Sequence, residues 1–195
     1  MAATGAPAQA IERRPSALGV GTVIWLASEL MFFAGLFAAY FTLRAAASGW
    51  PPAGVELSTA RTAVATGVLV ASSFTMHVAV TSAREPGAGS RLAAVRWLAV
   101  TMALGLAFLT NQGLEYAEAP FSISSHAYGS IFFLMTGFHG LHVLGGLCFM
   151  LAVIGVIRGA GSRAPAGEVV DVCAYYWHFV DVVWVVMFAT IYLLR

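Results

Sequence analysis

Lysine is absent from all 195 residues, so the ten basic side chains are all arginines. Charged residues make up only 10% of the chain against 59% hydrophobic residues, a balance far from that of soluble domains. No arginine-rich run is present and the formal net charge is +1, which leaves no electrostatic footprint for nucleic acid. Twenty glycines occur, yet none builds a phosphate-binding loop of the Walker or dinucleotide type. The two cysteines, Cys148 and Cys173, lie in separate apolar segments without CxxC or Cys/His zinc spacing. They read as small packing side chains.

What is present is apolar sequence in long runs. A spanning helix needs about 20 predominantly apolar residues, and the sparse charges cut the chain into five segments of that size. The expected fold is all-α: a polytopic bundle of five transmembrane helices, at about residues 18–43, 61–83, 92–113, 128–157 and 171–194, forming one domain over 18–195. The fourth segment belongs to a stretch from Glu118 to Arg158 with no charged residue inside it. Residues 1–17 read as a flexible arm, and connections such as "GWPPAGVELS" and "RGAGSRAPAGE" are too short and turn-rich for another domain. The first segment is too long for a signal-peptide core and carries a carboxylate, so it reads as a retained span.

Arginines set the expected orientation, because short cytoplasmic loops keep positive charge. Arg13, Arg14, Arg84, Arg91, Arg96, Arg158 and Arg163 fall on the N-terminal side, against Arg44, Arg61 and Arg195 on the other. The N-terminus is therefore expected inside and the C-terminus outside, with Arg195 anchoring the outer end.

Ionisable groups at membrane depth cost about 2.5 to 3.5 kcal/mol each at a helix centre on insertion scales, so each is a functional candidate. Glu29, His139, His142, His178 and Asp181 qualify, and Glu29, His142 and Asp181 lie near the midpoints of their segments, where they could meet at one depth. Glu29 sits in "WLASELMFF" with Trp25, Phe32 and Phe33 on its face. Two readings stand side by side for it: a neutral acid hydrogen-bonded across a helix contact, and a proton-handling group. Gly21, Ser28 and Gly35 recur every seven residues beside it, a stripe along which another helix can approach closely.

His139 with His142, and His178 with Asp181, are i, i+3 pairs. They could be drawn as a metal or haem site, with His77 as a further ligand. A di-iron bundle site, however, wants about four carboxylates with two histidines, and here two carboxylates accompany three histidines. Hydrogen bonding between helices is the favoured reading, with no metal. His77 and His126, each alone, read as structural. Glu115 and Glu118 fall at the outer side, wetted by solvent or holding the loop, and Tyr116, the "AYYWH" run and Tyr192 are expected at the membrane interfaces.

Three stretches together, "SELMFFAGLFAAYF", "EYAEAPFSISSHAYGSIFFLMTGFHGLHV" and "YYWHFVDVVW", resemble the signature segments of subunit III of the haem-copper cytochrome c oxidases. Their order and spacing fit, and "GWPP" lies in the expected first loop. The resemblance covers almost the whole chain from about Gly21. It is to the five-helix bacterial form, beginning at what resembles the third helix of the seven-helix form, and the Arg-rich, Lys-free, Ala-rich character suggests an actinobacterial source. The first two helices of the seven-helix form help enclose a phospholipid cleft; here Arg158 is the remaining candidate headgroup contact.

The resemblance implies a non-catalytic subunit of a proton-pumping oxidase in a bacterial plasma membrane. Haem and copper would reside in partner subunits I and II, with none in this chain. The implied partners are those two subunits, a further small subunit, phospholipids and, through the complex, cytochrome c. Glu29 matches the family's membrane-buried, carbodiimide-reactive glutamate, and His139, His142, His178 and Asp181 match its buried polar positions.

Overall fold

A computed structural model describes residues 17–159 and 166–194. The expected arm up to residue 16, Arg163 and Arg195 with its anchoring role lie outside the described residues. Five helices follow one another: α1 (Ala17–Ala46), α2 (Thr59–Arg84), α3 (Ala88–Glu118), α4 (Ala127–Gly159) and α5 (Ala166–Phe188), the last ending in a π-helical turn, Ala189–Leu193. All five are long and apolar enough to cross a membrane, and no strand occurs among the described residues. The helices outrun the uncharged segments at several ends. Backbone hydrogen bonding does not stop where charges begin, so Glu115, Glu118 and Glu168 sit within end turns of α3 and α5.

Short loops make neighbours antiparallel. The α2–α3 connection spans only residues 85–87, and the two helices pack side by side. α5 occupies the middle, touching α1, α2 and α4, while α1 lies at the edge against α4 and α5. Trp177 and Trp184, both fully buried, are the largest side chains of the core. Glycine decides where α5 can settle: a Cβ on Gly105 of α3 would lie 2.7 Å from the Trp177 ring, and one on Gly146 of α4 would lie 2.8 Å from it. Two bare helix surfaces thus receive one indole.

The first loop is pinned by its own aromatic. Trp50 sits edge-on to Tyr40 of α1 (5.3 Å between centroids) and Tyr128 of α4 (5.0 Å). His126, read as structural, accepts the backbone N–H of Gly129 on Nδ1 at 2.8 Å, serving one of the donors left open at the start of α4. The helix ends are tied by ion pairs, Arg84 to Asp171 at 3.1 Å and Arg61 to Glu118.

Candidate functional site

Glu29 stands midway along α1 and His142 midway along α4, and the packing of these helices brings them together. His142 Nε2 lies 3.1 Å from Glu29 Oε2, and the Trp25 indole N–H donates to Glu29 Oε1 at 3.0 Å. The other imidazole nitrogen, Nδ1, lies 2.7 Å from the carbonyl of Phe138. A carbonyl only accepts, so Nδ1 carries hydrogen, and Nε2 of a neutral ring would then be an acceptor. The bond to Glu29 therefore needs one more proton, on either the imidazole or the carboxylate. The pair shares a single proton.

Aromatic walls restrict access to that proton. Phe33 meets the His142 ring edge-on at 4.9 Å, with Phe32 beyond it at 6.4 Å. Tyr176 of α5 donates its hydroxyl to the His142 carbonyl at 2.9 Å and stacks on Trp25 at 5.2 Å, so three helices position the pair. Exposure is partial, 24% for the Glu29 side chain and 16% for that of His142. The expected helix contact along Gly21, Ser28 and Gly35 is not made among the described residues: none of their atoms lies within 4 Å of a Cβ built on either glycine, and Ser28 is exposed. α1 turns its aromatic face inward instead, because Phe33 and Tyr40 bury more surface than that stripe.

Asp181 does not join Glu29 and His142. It forms a second cluster with Ser73 of α2, whose Oγ–H donates to Asp181 Oδ2 while the same oxygen lies 3.0 Å from His178 Nδ1. His178 and Asp181 thus communicate through a serine on another helix. The seam continues on either side: the Trp177 indole donates to Ser72 Oγ and the Trp184 indole to Thr66 Oγ1, both at 2.9 Å. Sequence reading missed the α2 hydroxyls. Their signal was the spacing of Thr62, Thr66 and Ser73, four and then seven residues apart on one face.

His139 departs from its neighbour His142. It is fully buried, packed against Trp184 at 4.9 Å and edge-on to Phe108 at 5.9 Å, and neither ring nitrogen has a hydrogen-bond partner among the described residues. The i, i+3 offset is about 60° of helix rotation, enough to send one ring to the core and the other to α1. Among the described residues no three His, Cys, Asp or Glu side chains converge as a metal site would require. His77 is exposed on α2, and Arg158 is exposed in the last turn of α4.

The C-terminal end of α3 holds a correction. Glu115 was expected to be wetted or to hold the loop, but it is 3% exposed, accepting hydrogen bonds from Tyr192 at 2.8 Å and Thr62 at 3.3 Å. Tyr192, expected at the interface, is likewise buried, in the π-helical turn whose Thr190 carbonyl takes the Tyr40 hydroxyl at 3.2 Å. Nothing in the local sequence distinguishes an end-turn glutamate facing inward from one facing out; the α2–α3–α5 packing does. Tyr116 bonds Thr136 of α4 at 2.6 Å, and Tyr175 is exposed.

Fold and polar groups together define a class: a multi-pass helical membrane protein with isolated polar pairs set between its helices. Comparison with known proteins supplies the family. The family model "Cytochrome c oxidase subunit III" matches residues 4–195. A relative from Nocardia farcinica, named "Probable cytochrome c oxidase subunit 3", is 48% identical over 206 residues, covering 99% of this chain and 98% of its own. The "Cytochrome c oxidase subunit 3" of Corynebacterium diphtheriae is 41% identical over 93% of this chain and 90% of its own, and that of Thermostichus vulcanus 37% over 90% and 86%. The chain belongs to the cytochrome c oxidase subunit III family. It is a multi-pass membrane subunit of an oxidase complex of the respiratory chain.

Proposed function

We propose that this chain is a non-catalytic subunit that packs beside subunit I, stabilises the complex and supports proton uptake while the complex passes electrons from cytochrome c to oxygen. Haem and copper reside in subunits I and II, and a further small subunit and phospholipids complete the surroundings. The complex lies in a bacterial plasma membrane with the N-terminus of this chain inside, an orientation supported by the seven arginines against three. Glu29 is the proton-handling residue. His139, His178 and Asp181 are structural polar groups, and Arg158 contacts a lipid headgroup at the inner side.

The observation that carries this reading is the Glu29–His142 pair. A carboxyl and an imidazole sharing one proton can release and regain it without either group leaving its place, which is what a proton buffer or relay requires. Two outcomes of one experiment test the reading: purification through a tag beyond Arg195 should yield this chain with two larger subunits that contain all the haem and copper. Stoichiometric haem, iron or copper on this chain after separation would overturn it.

A further inference from the structure

Four residues from three helices close a circuit around the Glu29–His142 contact. The Tyr176 hydroxyl of α5 donates to the His142 carbonyl of α4 at 2.9 Å, and His142 Nε2 meets Glu29 Oε2 of α1 at 3.1 Å. Glu29 Oε1 accepts the Trp25 indole N–H at 3.0 Å, and the Trp25 ring lies on the Tyr176 ring at 5.2 Å and 10°. The slot that holds Tyr176 is made by the glycine pair ending "TGFHGLHVLGG". A Cβ on Gly145 would lie 3.1 Å from the Tyr176 hydroxyl, and one on Gly146 would lie 3.2 Å from its ring edge, so bare backbone leaves the phenol room to reach the carbonyl. The other contacts between α1 and α4 at this level, Phe33 on the His142 ring and Phe32 on Phe138, are ring against ring and orient no polar atom.

We infer that Tyr176 is the positioning residue of the Glu29–His142 pair: one side chain of the central helix fixes both the α4 backbone that carries the imidazole and the indole that orients the carboxylate. The imidazole is tied to its own helix through Nδ1–H and the Phe138 carbonyl, so its Nε2 goes where the α4 backbone goes. The His142 carbonyl has two lone pairs; the α-helical ladder uses one, and the phenol takes the other. On the opposite side, Glu29 belongs to an edge helix and is turned by an indole that is 44% exposed and rests its face on the same phenol. Displacing Tyr176 therefore loosens both halves of the 3.1 Å contact together, and a shift of α5 reaches the pair through this residue. The inference rests on the proton-handling role proposed for Glu29.

Magnetic resonance of the full chain in lipid nanodiscs tests this, through deuterium exchange of the indole protons and the shifts of the histidine ring nitrogens. Tyr176→Phe keeps the ring and its stacking and loses only the hydroxyl. In that variant the Trp25 indole proton should exchange about fivefold faster, the scale of one lost hydrogen bond, and the His142 nitrogens should move toward their positions in Glu29→Ala. The Trp184 indole, bonded to Thr66 outside the circuit, should keep its rate. Gly145→Ala crowds the hydroxyl from α4 while leaving all four circuit residues in place, and should give the same pattern. In the assembled oxidase both variants should lower proton uptake in the direction of Glu29→Gln. Unchanged Trp25 and His142 signals in both variants would overturn the inference, as would equal acceleration at Trp25 and Trp184, the mark of general loosening. If those signals change as expected while Glu29→Gln leaves proton uptake at the parent level, the proton role is overturned instead.

Discussion

α1 and α5 are both apolar spans with one carboxylate near the middle, yet they occupy opposite situations in the bundle. α1 buries only Thr22, Phe33 and Tyr40, whereas α5 buries a run that includes Val170, Cys173, Trp177, Val180, Asp181, Trp184 and Met187. Apolar composition brings a helix into the membrane, but position within the bundle depends on what neighbouring helices leave open. For α5 that opening is the pair of bare surfaces at Gly105 and Gly146, with hydroxyls on α2 for its indoles. α1 meets no such surface. Its carboxylate therefore stays partly exposed and shares a proton with His142, while Asp181 is enclosed and bridged by Ser73. The central helix carries the packing, while the peripheral one leaves its carboxylate at the bundle's edge.

The largest effect should come from disturbing the α5 seat. Gly146→Val should lower stability by about 1–3 kcal/mol through overpacking against Trp177, read as a lower midpoint of unfolding in detergent. Gly155→Val on the same helix, where a Cβ meets nothing within 4 Å, should leave the midpoint almost unchanged. Equal losses would break the distinction between seated and open faces. Next in size is the serine bridge. Asp181→Ala and Ser73→Ala should each weaken the fold and its assembly by about 1–3 kcal/mol, and the double variant should lose clearly less than the sum, since the two residues share one hydrogen bond. A strictly additive cycle would show that Asp181 draws its support elsewhere.

The smallest structural effect is expected on α1. Glu29→Gln keeps a donor for His142 Nε2 and an acceptor for Trp25, so stability should change by no more than about 1 kcal/mol and the oxidase should remain assembled and able to reduce oxygen. Its durability under turnover, or its proton uptake, should fall, because an amide cannot exchange the shared proton. Complete loss of turnover in an assembled complex would contradict the separation of roles between the two helices.

Much of the site was legible one residue at a time and little of it as pairs. Glu29, His142, His178 and Asp181 stand out because charge is rare at membrane depth. Their partners were hidden, since Ser73 looks like any other small residue and an i, i+3 spacing implies contact between His178 and Asp181 that a serine on α2 instead mediates. His139 and His142 read as one seam because they are three apart. The 60° between them sends one against Trp184 and the other against Glu29.

The sequence by itself determined that five helices cross a membrane and which family they form, because apolar length and long contiguous motifs are local properties that need no knowledge of packing. Tertiary structure alone decided which helix lies at the centre and which polar groups meet. It also decided that Glu115 and Tyr192 turn inward where α3 and α5 end. Each depends on a rotation about a helix axis, and that rotation is fixed by the surfaces of the neighbours rather than by the segment's own residues.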